Sequence, residues 1–149
     1  SASALLGAVS TQSFVDRTAT AGTAYLYFVR AVDATTNRSV NSAPDLATTF
    51  VFADAPLVSG TPVRATHIDQ LRSAIKAVRV LAGLPATTFS DSSLSGVPVR
   101  KVHIDQLRAA LDQARATLGL PALVYAETIT ANTTNVKAIT INEPRAGVK

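Results

Sequence analysis

Two stretches of the chain place apolar residues at helical spacing. The residues of each stripe follow one another at intervals of three and four: Ile68, Leu71, Ile75, Val78 and Ala82, then Ile104, Leu107, Leu111, Ala114 and Leu118. The pattern predicts one helix over about 67–82 and another over about 103–118, with their stripes facing each other in a core. Each stripe is followed by Gly-Leu-Pro, which favours a left-handed glycine stop and prevents the helix from continuing.

Nearer the start of the chain the period changes to that of a β-strand. From residue 25 the chain reads Tyr-Leu-Tyr-Phe-Val-Arg-Ala-Val, rich in aromatic and β-branched side chains. A polar, turn-forming stretch covers 33–41, and a second apolar run covers about 46–52. These patterns predict antiparallel strands within about 10–52.

The helical pattern is duplicated along the chain. His-Ile-Asp-Gln-Leu-Arg occupies 67–72 and recurs at 103–108, and Thr-Ile-Asn-Glu-Pro-Arg at 140–145 marks a third copy. We predict a β region over 1–52 and a repeat region over 53–149, with copies at about 52–88, 89–123 and 124–149, the last incomplete. In the third copy Pro144 replaces a leucine and removes an early helical hydrogen bond.

The repeated histidines have a structural interpretation. In the third copy Thr140 and Glu143 form a capping-box pattern, with threonine at the N-cap position. By alignment His67 and His103 take the same position, so we predict that His67, His103 and Thr140 are N-caps. The alternative is a metal or pH-sensitive histidine pair, but no third ligand recurs with the histidines. We therefore expect no metal and no cofactor.

Charge and composition narrow the classes of partner. The 149 residues carry a formal net charge of +4 and no cysteine, so disulfides and thiolate metal sites are excluded. The basic residues are dispersed, which disfavours nucleic acid as a partner. The clearest basic line lies on the first predicted helix, at Arg72, Lys76 and Arg79, and is a candidate anion-binding face; the alternative is an ordinary solvated face. No apolar stretch approaches the ~18 residues of a membrane span.

The segment Ala-Gly-Thr-Ala-Tyr-Leu-Tyr-Phe-Val-Arg-Ala-Val-Asp at 21–33, with the loop and strand after it, resembles the second half of a fibronectin type III domain over about 10–52. The resemblance implies a partial antiparallel β-sandwich, in which the Tyr25 hydroxyl bonds to the backbone a few residues upstream. Half of such a domain, without its tryptophan, leaves an open face. We expect strands of another chain, or of a cleaved upstream segment, to complete the sandwich, and the stretch 128–137 is a candidate donor strand.

The repeat region resembles the C-terminal part of large secreted bacterial proteins, through His-Ile-Asp-Gln-Leu-Arg and Gly-Leu-Pro. That resemblance implies an assembly or anchoring appendage without catalytic residues. The fold class we predict is therefore α+β and modular: a partial β-sandwich followed by loop–helix tandem repeats.

Motifs of the common enzyme classes are absent from the sequence. The loops also lack the alternating oxygen ligands of a calcium-binding module. We expect a non-enzymatic structural or interaction module, extracellular or on the bacterial cell surface, that binds protein and forms an oligomer or a subunit of a larger complex. The alternative is a surface-anchoring or carbohydrate- or ligand-binding appendage of a larger secreted enzyme.

Overall fold

The computed structural model describes residues 4–131 and 133–149. Its elements are, in chain order, two strands and three helices: β1 (Ala24–Tyr27), β2 (Asp45–Thr48), α1 (Ala65–Leu81), α2 (Lys101–Thr117) and α3 (Ala138–Gly147). The described residues contain no helix that is long and apolar enough to cross a membrane.

The predicted partial β-sandwich is wrong. β1 and β2 form a single antiparallel hairpin of four paired positions, from Ala24 opposite Thr48 to Tyr27 opposite Asp45. Beyond Tyr27 the ladder is interrupted because serine hydroxyls replace carbonyls as acceptors: the N–H of Val29 bonds to the Ser42 hydroxyl at 3.0 Å. The fold is therefore a mixture of helix and a short hairpin, and a period-2 pattern does not reveal whether a second sheet lies opposite.

One contact expected from the fibronectin resemblance is nevertheless present. The Tyr25 hydroxyl accepts the backbone N–H of Thr20 at 2.7 Å. Tyr27 donates its hydroxyl to the Asp16 carboxylate at 2.9 Å. Partial burial, reinforced by this bond, raises the pKa of Tyr27 to about 12. These two tyrosines fasten the segment before β1 to the hairpin.

The two predicted helices are confirmed, with each beginning two residues earlier and ending one residue earlier than expected. Their apolar stripes are inaccessible to solvent at Ile68, Leu71, Ile104 and Leu107 among others, and α1 packs against α2. The hairpin lies against α1, where Ala24 and Leu46 complete the core.

The predicted glycine stops are also confirmed. Gly83 has φ of +67° and Gly119 has φ of +71°. After α1, Leu84 donates its N–H to the carbonyl of Arg79 at 2.9 Å, which is the long bond of a Schellman motif.

α3 packs against both other helices, with Ile141 inaccessible to solvent. Pro144 lies inside this helix, so one intrahelical hydrogen bond is missing, as the sequence predicts. Gly147 lets α3 approach the second copy closely, because a Cβ there would lie 2.4 Å from Leu123.

The stretch 128–137 is not a strand in its described residues, which exclude 132. Thr134 donates its N–H to the Thr130 carbonyl at 3.0 Å, so the backbone turns back on itself. The stretch is therefore not the extended segment that the expectation of a donor strand assumed.

Candidate functional site

The residues predicted as N-caps lie in the first turns of the helices, three positions later than expected. The structure places Arg64, Arg100 and Lys137 at the N-caps, and His67, His103 and Thr140 at the third helical position. The prediction was wrong because a capping side chain normally precedes the helix, whereas these side chains reach backwards from inside it.

Each of the three side chains accepts the N–H of its own N-cap residue. The acceptor is Nδ1 of His67 at 3.1 Å, Nδ1 of His103 at 3.0 Å and Oγ1 of Thr140 at 3.2 Å. The threonine hydroxyl thus accepts the same hydrogen bond as the imidazole nitrogens. This shared role explains why a hydroxyl and an imidazole occupy equivalent positions.

The second nitrogen of each imidazole meets an aspartate. Nε2 lies 3.2 Å from Asp54 in the first copy and 2.8 Å from Asp91 in the second. Because Nδ1 accepts a hydrogen bond, the hydrogen is assigned to Nε2, which donates it to the carboxylate. Hydrogen bonds from His103 and Arg100 lower the pKa of Asp91. Both ring nitrogens are engaged, and neither ring is accessible to solvent beyond 1%.

The third copy lacks this imidazole–carboxylate pair. The position of the aspartate is taken by Glu127, which forms an ion pair with Lys137 instead. Among the residues that the structure describes, no group of three or more histidine, aspartate or glutamate side chains is arranged to hold a metal ion.

A second repeated contact connects each helix to the loop before it. We call the residues 52–54, 89–91 and 125–127 the aromatic turns; each begins with an aromatic residue and ends with an acid. The N–H of the middle residue is bound by a side chain at the sixth helical position: Gln70 at 2.9 Å, Gln106 at 2.9 Å and Glu143 at 2.7 Å. The turns are therefore held in place by the helices.

The candidate anion-binding face is wrong for two of its three residues. Arg72 and Arg79 are 5% and 6% exposed. Arg72 donates to the carbonyls of Ser90 at 2.7 Å and Asp91 at 2.9 Å, while Arg79 donates to the carbonyls of Pro85 and Ala110. These buried guanidinium groups donate to backbone oxygens and therefore do not form an exposed surface for an anion. Lys76 alone of the three is exposed, with its ammonium 5.8 Å from the centre of the Phe89 ring.

The arginines that end the six-residue motifs form contacts between copies, and the sequence analysis missed these contacts. Arg72 stacks on Phe89 of the second copy at 5.1 Å, and Arg108 stacks on Tyr125 of the third at 4.2 Å. The signal was available, since all three six-residue motifs end in arginine and all three turns begin with an aromatic residue. Periodicity alone does not show that one copy's arginine meets the next copy's aromatic ring.

A groove of about 920 Å³ lies where the three copies meet, near the N-terminal ends of the helices. It is lined by Val63, Val99 and Val136, which occupy equivalent positions before their helices. Its two lining cations are each paired with a carboxylate, Arg100 with Asp91 and Lys101 with Asp105. This groove therefore does not present concentrated charge to an anion.

The hairpin carries one of the exposed apolar segments of the molecule, and the segment before β1 carries another, which includes Leu5 and Val15. Every residue from 28 to 43 is exposed, and we call this segment the hairpin arm. Its large apolar residues are Phe28, Val29, Val32 and Val40, exposed by 41%, 72%, 56% and 89%.

The tip of the hairpin arm contains a set of hydrogen bonds to the Asp33 carboxylate. The Asp33 carboxylate accepts the backbone N–H of Thr35 at 2.9 Å and of Asn37 at 2.8 Å. These bonds lower the pKa of Asp33, with the side-chain amide of Asn37 contributing most. The arm is a hydrogen-bonded projection whose apolar side chains are exposed to solvent.

Comparisons with family models, curated proteins and solved structures find no match for this chain.

Proposed function

We propose that the chain is a non-enzymatic interaction module that acts as a subunit of an extracellular or cell-surface assembly. The observation that carries this proposal is the hairpin arm, which displays Val29, Val32 and Val40 at more than half exposure. Covering such residues lowers the free energy of the protein in water by about 25 cal/mol per Å² of apolar surface that is buried. We propose that another protein chain covers them.

The use of the polar residues supports a role without catalysis. His67 and His103 engage both ring nitrogens, and the repeated arginines bind backbone carbonyls. General acid–base catalysis and metal binding each need a nitrogen that is free to reach its substrate or ion. The repeat region therefore serves, in this proposal, as a rigid base for the hairpin arm.

The extracellular assignment rests on the resemblance to the C-terminal parts of secreted bacterial proteins. The absence of cysteine and the dispersed charge agree with that assignment without requiring it. Secretion of the full-length protein from its native host is the direct test.

Sedimentation velocity over a range of concentrations tests the role of the hairpin arm. We expect the wild-type chain to self-associate and the variant Val29→Asp with Val40→Asp to associate less. Val51→Asp with Val80→Asp is the matched control, because those valines are 90% and 77% exposed but lie outside the hairpin arm. A wild-type chain that stays monomeric at every concentration, or an equal effect of both double variants, would contradict the proposal.

A further inference from the structure

The three copies close into a ring through the contact between the third and the first. Arg145 in α3 donates to the carbonyls of Ala53 at 2.8 Å and Asp54 at 3.0 Å, and lies 5.0 Å from the centre of the Phe52 ring. Arg72 makes the same contact on the second copy, and Arg108 makes a related one on the third. Each aromatic turn is thus bound by the arginine of a neighbouring copy. Burial lowers the pKa of Arg145.

The closing interface has a second set of bonds with no counterpart among the described residues of the other two interfaces. The Asn142 amide accepts the N–H of Leu57 at 3.1 Å and donates to its carbonyl at 2.8 Å. These residues are 85 positions apart in the chain. The contact pairs one particular side chain with one particular backbone unit. Because the two residues are far apart in the chain, folding alone brings them together.

A short segment connects the third copy to the second. We call residues 118–124 the hinge; it contains the left-handed Gly119 and the exposed Val124. If the hinge opens, the third copy leaves as a unit together with its aromatic turn. All of its contacts with the first and second copies are then available to the same unit of another molecule.

We propose that the closing interface is exchangeable and that the third copy of a second chain occupies it, forming a domain-swapped dimer. A swapped dimer keeps the contacts of the closing interface, so the two forms differ in the hinge and in the contacts of the hinge residues themselves, such as that of Leu123 with Gly147. A short linker holds its two ends at an effective concentration on the order of mM. The closed monomer therefore dominates at micromolar concentration, and a hinge that cannot fold back favours the dimer. This interface is independent of the hairpin arm.

Gly119→Ala with Pro121→Ala tests the proposal by removing the helix stop, because alanine disfavours the left-handed position and no proline blocks continuation. The extended α2 then carries the third copy away from its own first copy. We expect dimerisation about tenfold tighter than in the wild type or more, since the competing intramolecular closure is lost.

A further substitution shows which surface forms the dimer. Adding Arg145→Ala to the hinge variant should weaken the dimer by about tenfold or more, because charged hydrogen bonds are lost. Adding Arg30→Ala, at an exposed arginine of the hairpin arm, should not. A hinge variant that stays folded and monomeric would overturn the proposal, and so would a dimer that is indifferent to Arg145→Ala.

A second experiment covers the case in which the hinge variant fails to fold. Wild-type chains with light and heavy isotopes are unfolded, mixed at about 1 mM, the effective concentration of the linker, and refolded before native mass spectrometry. We expect mixed-isotope dimers that persist on dilution, because swapped chains separate only after unfolding, whereas dimers formed through the hairpin arm dissociate. Asn142→Ala with Arg145→Ala should reduce these persistent dimers, and Val29→Asp with Val40→Asp should not. Monomers alone would overturn the proposal. Dimers lost in the hairpin-arm variant instead would also overturn it while supporting the proposed function.

Discussion

Replacing the buried His103 by alanine or by threonine separates the two contacts of its ring. Alanine removes both the acceptor for the Arg100 N–H and the partner of Asp91. Threonine restores the first contact alone, since Thr140 makes that bond at 3.2 Å in the third copy. The protein itself thus supplies the matched substitution.

The magnitudes follow from burial and from the lost hydrogen bonds. His103 is inaccessible to solvent, so truncation to alanine leaves a cavity and should lower the free energy of unfolding by about 2–4 kcal/mol. The restored N-terminal bond should return about 1 kcal/mol in His103→Thr. The contact with Asp91 contributes less, because that carboxylate is 31% exposed.

Equilibrium unfolding in urea, followed by circular dichroism, measures both variants under one condition. We expect the order wild type, His103→Thr, His103→Ala in decreasing stability. The same order is expected for the equivalent pair at His67, which provides an independent repeat. A threonine variant no more stable than the alanine variant, at both positions, would refute the role assigned to the third helical residue.

Three further tests address separate parts of the structure. Arg72→Ala should cost about 2–4 kcal/mol in urea unfolding, whereas Lys76→Ala should change stability by less than about 0.5 kcal/mol, because only the arginine is buried on backbone carbonyls; equal effects would contradict that assignment. Gly147→Ala should cost about 1–3 kcal/mol, since its Cβ would overlap the second copy; an unchanged melting temperature would argue against the close approach. The pKa of Asp91 is lowered in the folded state, so its contribution to stability is present above the unfolded pKa of about 3.9 and is lost as pH falls below it. Thermal melts from pH 6 to pH 3 should therefore show a smaller acid-induced loss for Asp91→Asn than for the wild type, and parallel curves would contradict this.

Local periodicity predicted the helices of the repeat well. The stripe from Ile68 to Val78 and the stop at Gly83 are properties of one helix and its own turn, so they can be recognised without knowing the partner. The helix starts were misplaced because His67 caps backwards from inside the helix, which the usual capping rule does not anticipate.

Long-range relations were not predictable in the same way. The alternation from Tyr25 to Val32 is compatible with a sandwich, yet the structure pairs a four-residue strand with one partner and leaves the hairpin arm in solvent. Arg72 was placed on a candidate anion-binding face, because its carbonyl partner at Ser90 lies 18 residues away in sequence. The partner of Arg145 at Ala53 lies 92 residues away. Such pairings depend on how the copies pack against one another, and the periodicity of a single segment does not reveal that packing.

Hydrogen exchange measured by mass spectrometry tests the central claim most directly, because it reports where along the chain a partner binds. The wild-type chain is compared at low and at high concentration, and backbone amides of the hairpin arm, residues 28–43, are followed against those of α1 and α2. The account predicts fast exchange in the arm at low concentration and strong protection there on association, with α1 and α2 unchanged. An arm that exchanges equally fast at all concentrations, while the chain associates through other residues or not at all, would contradict it.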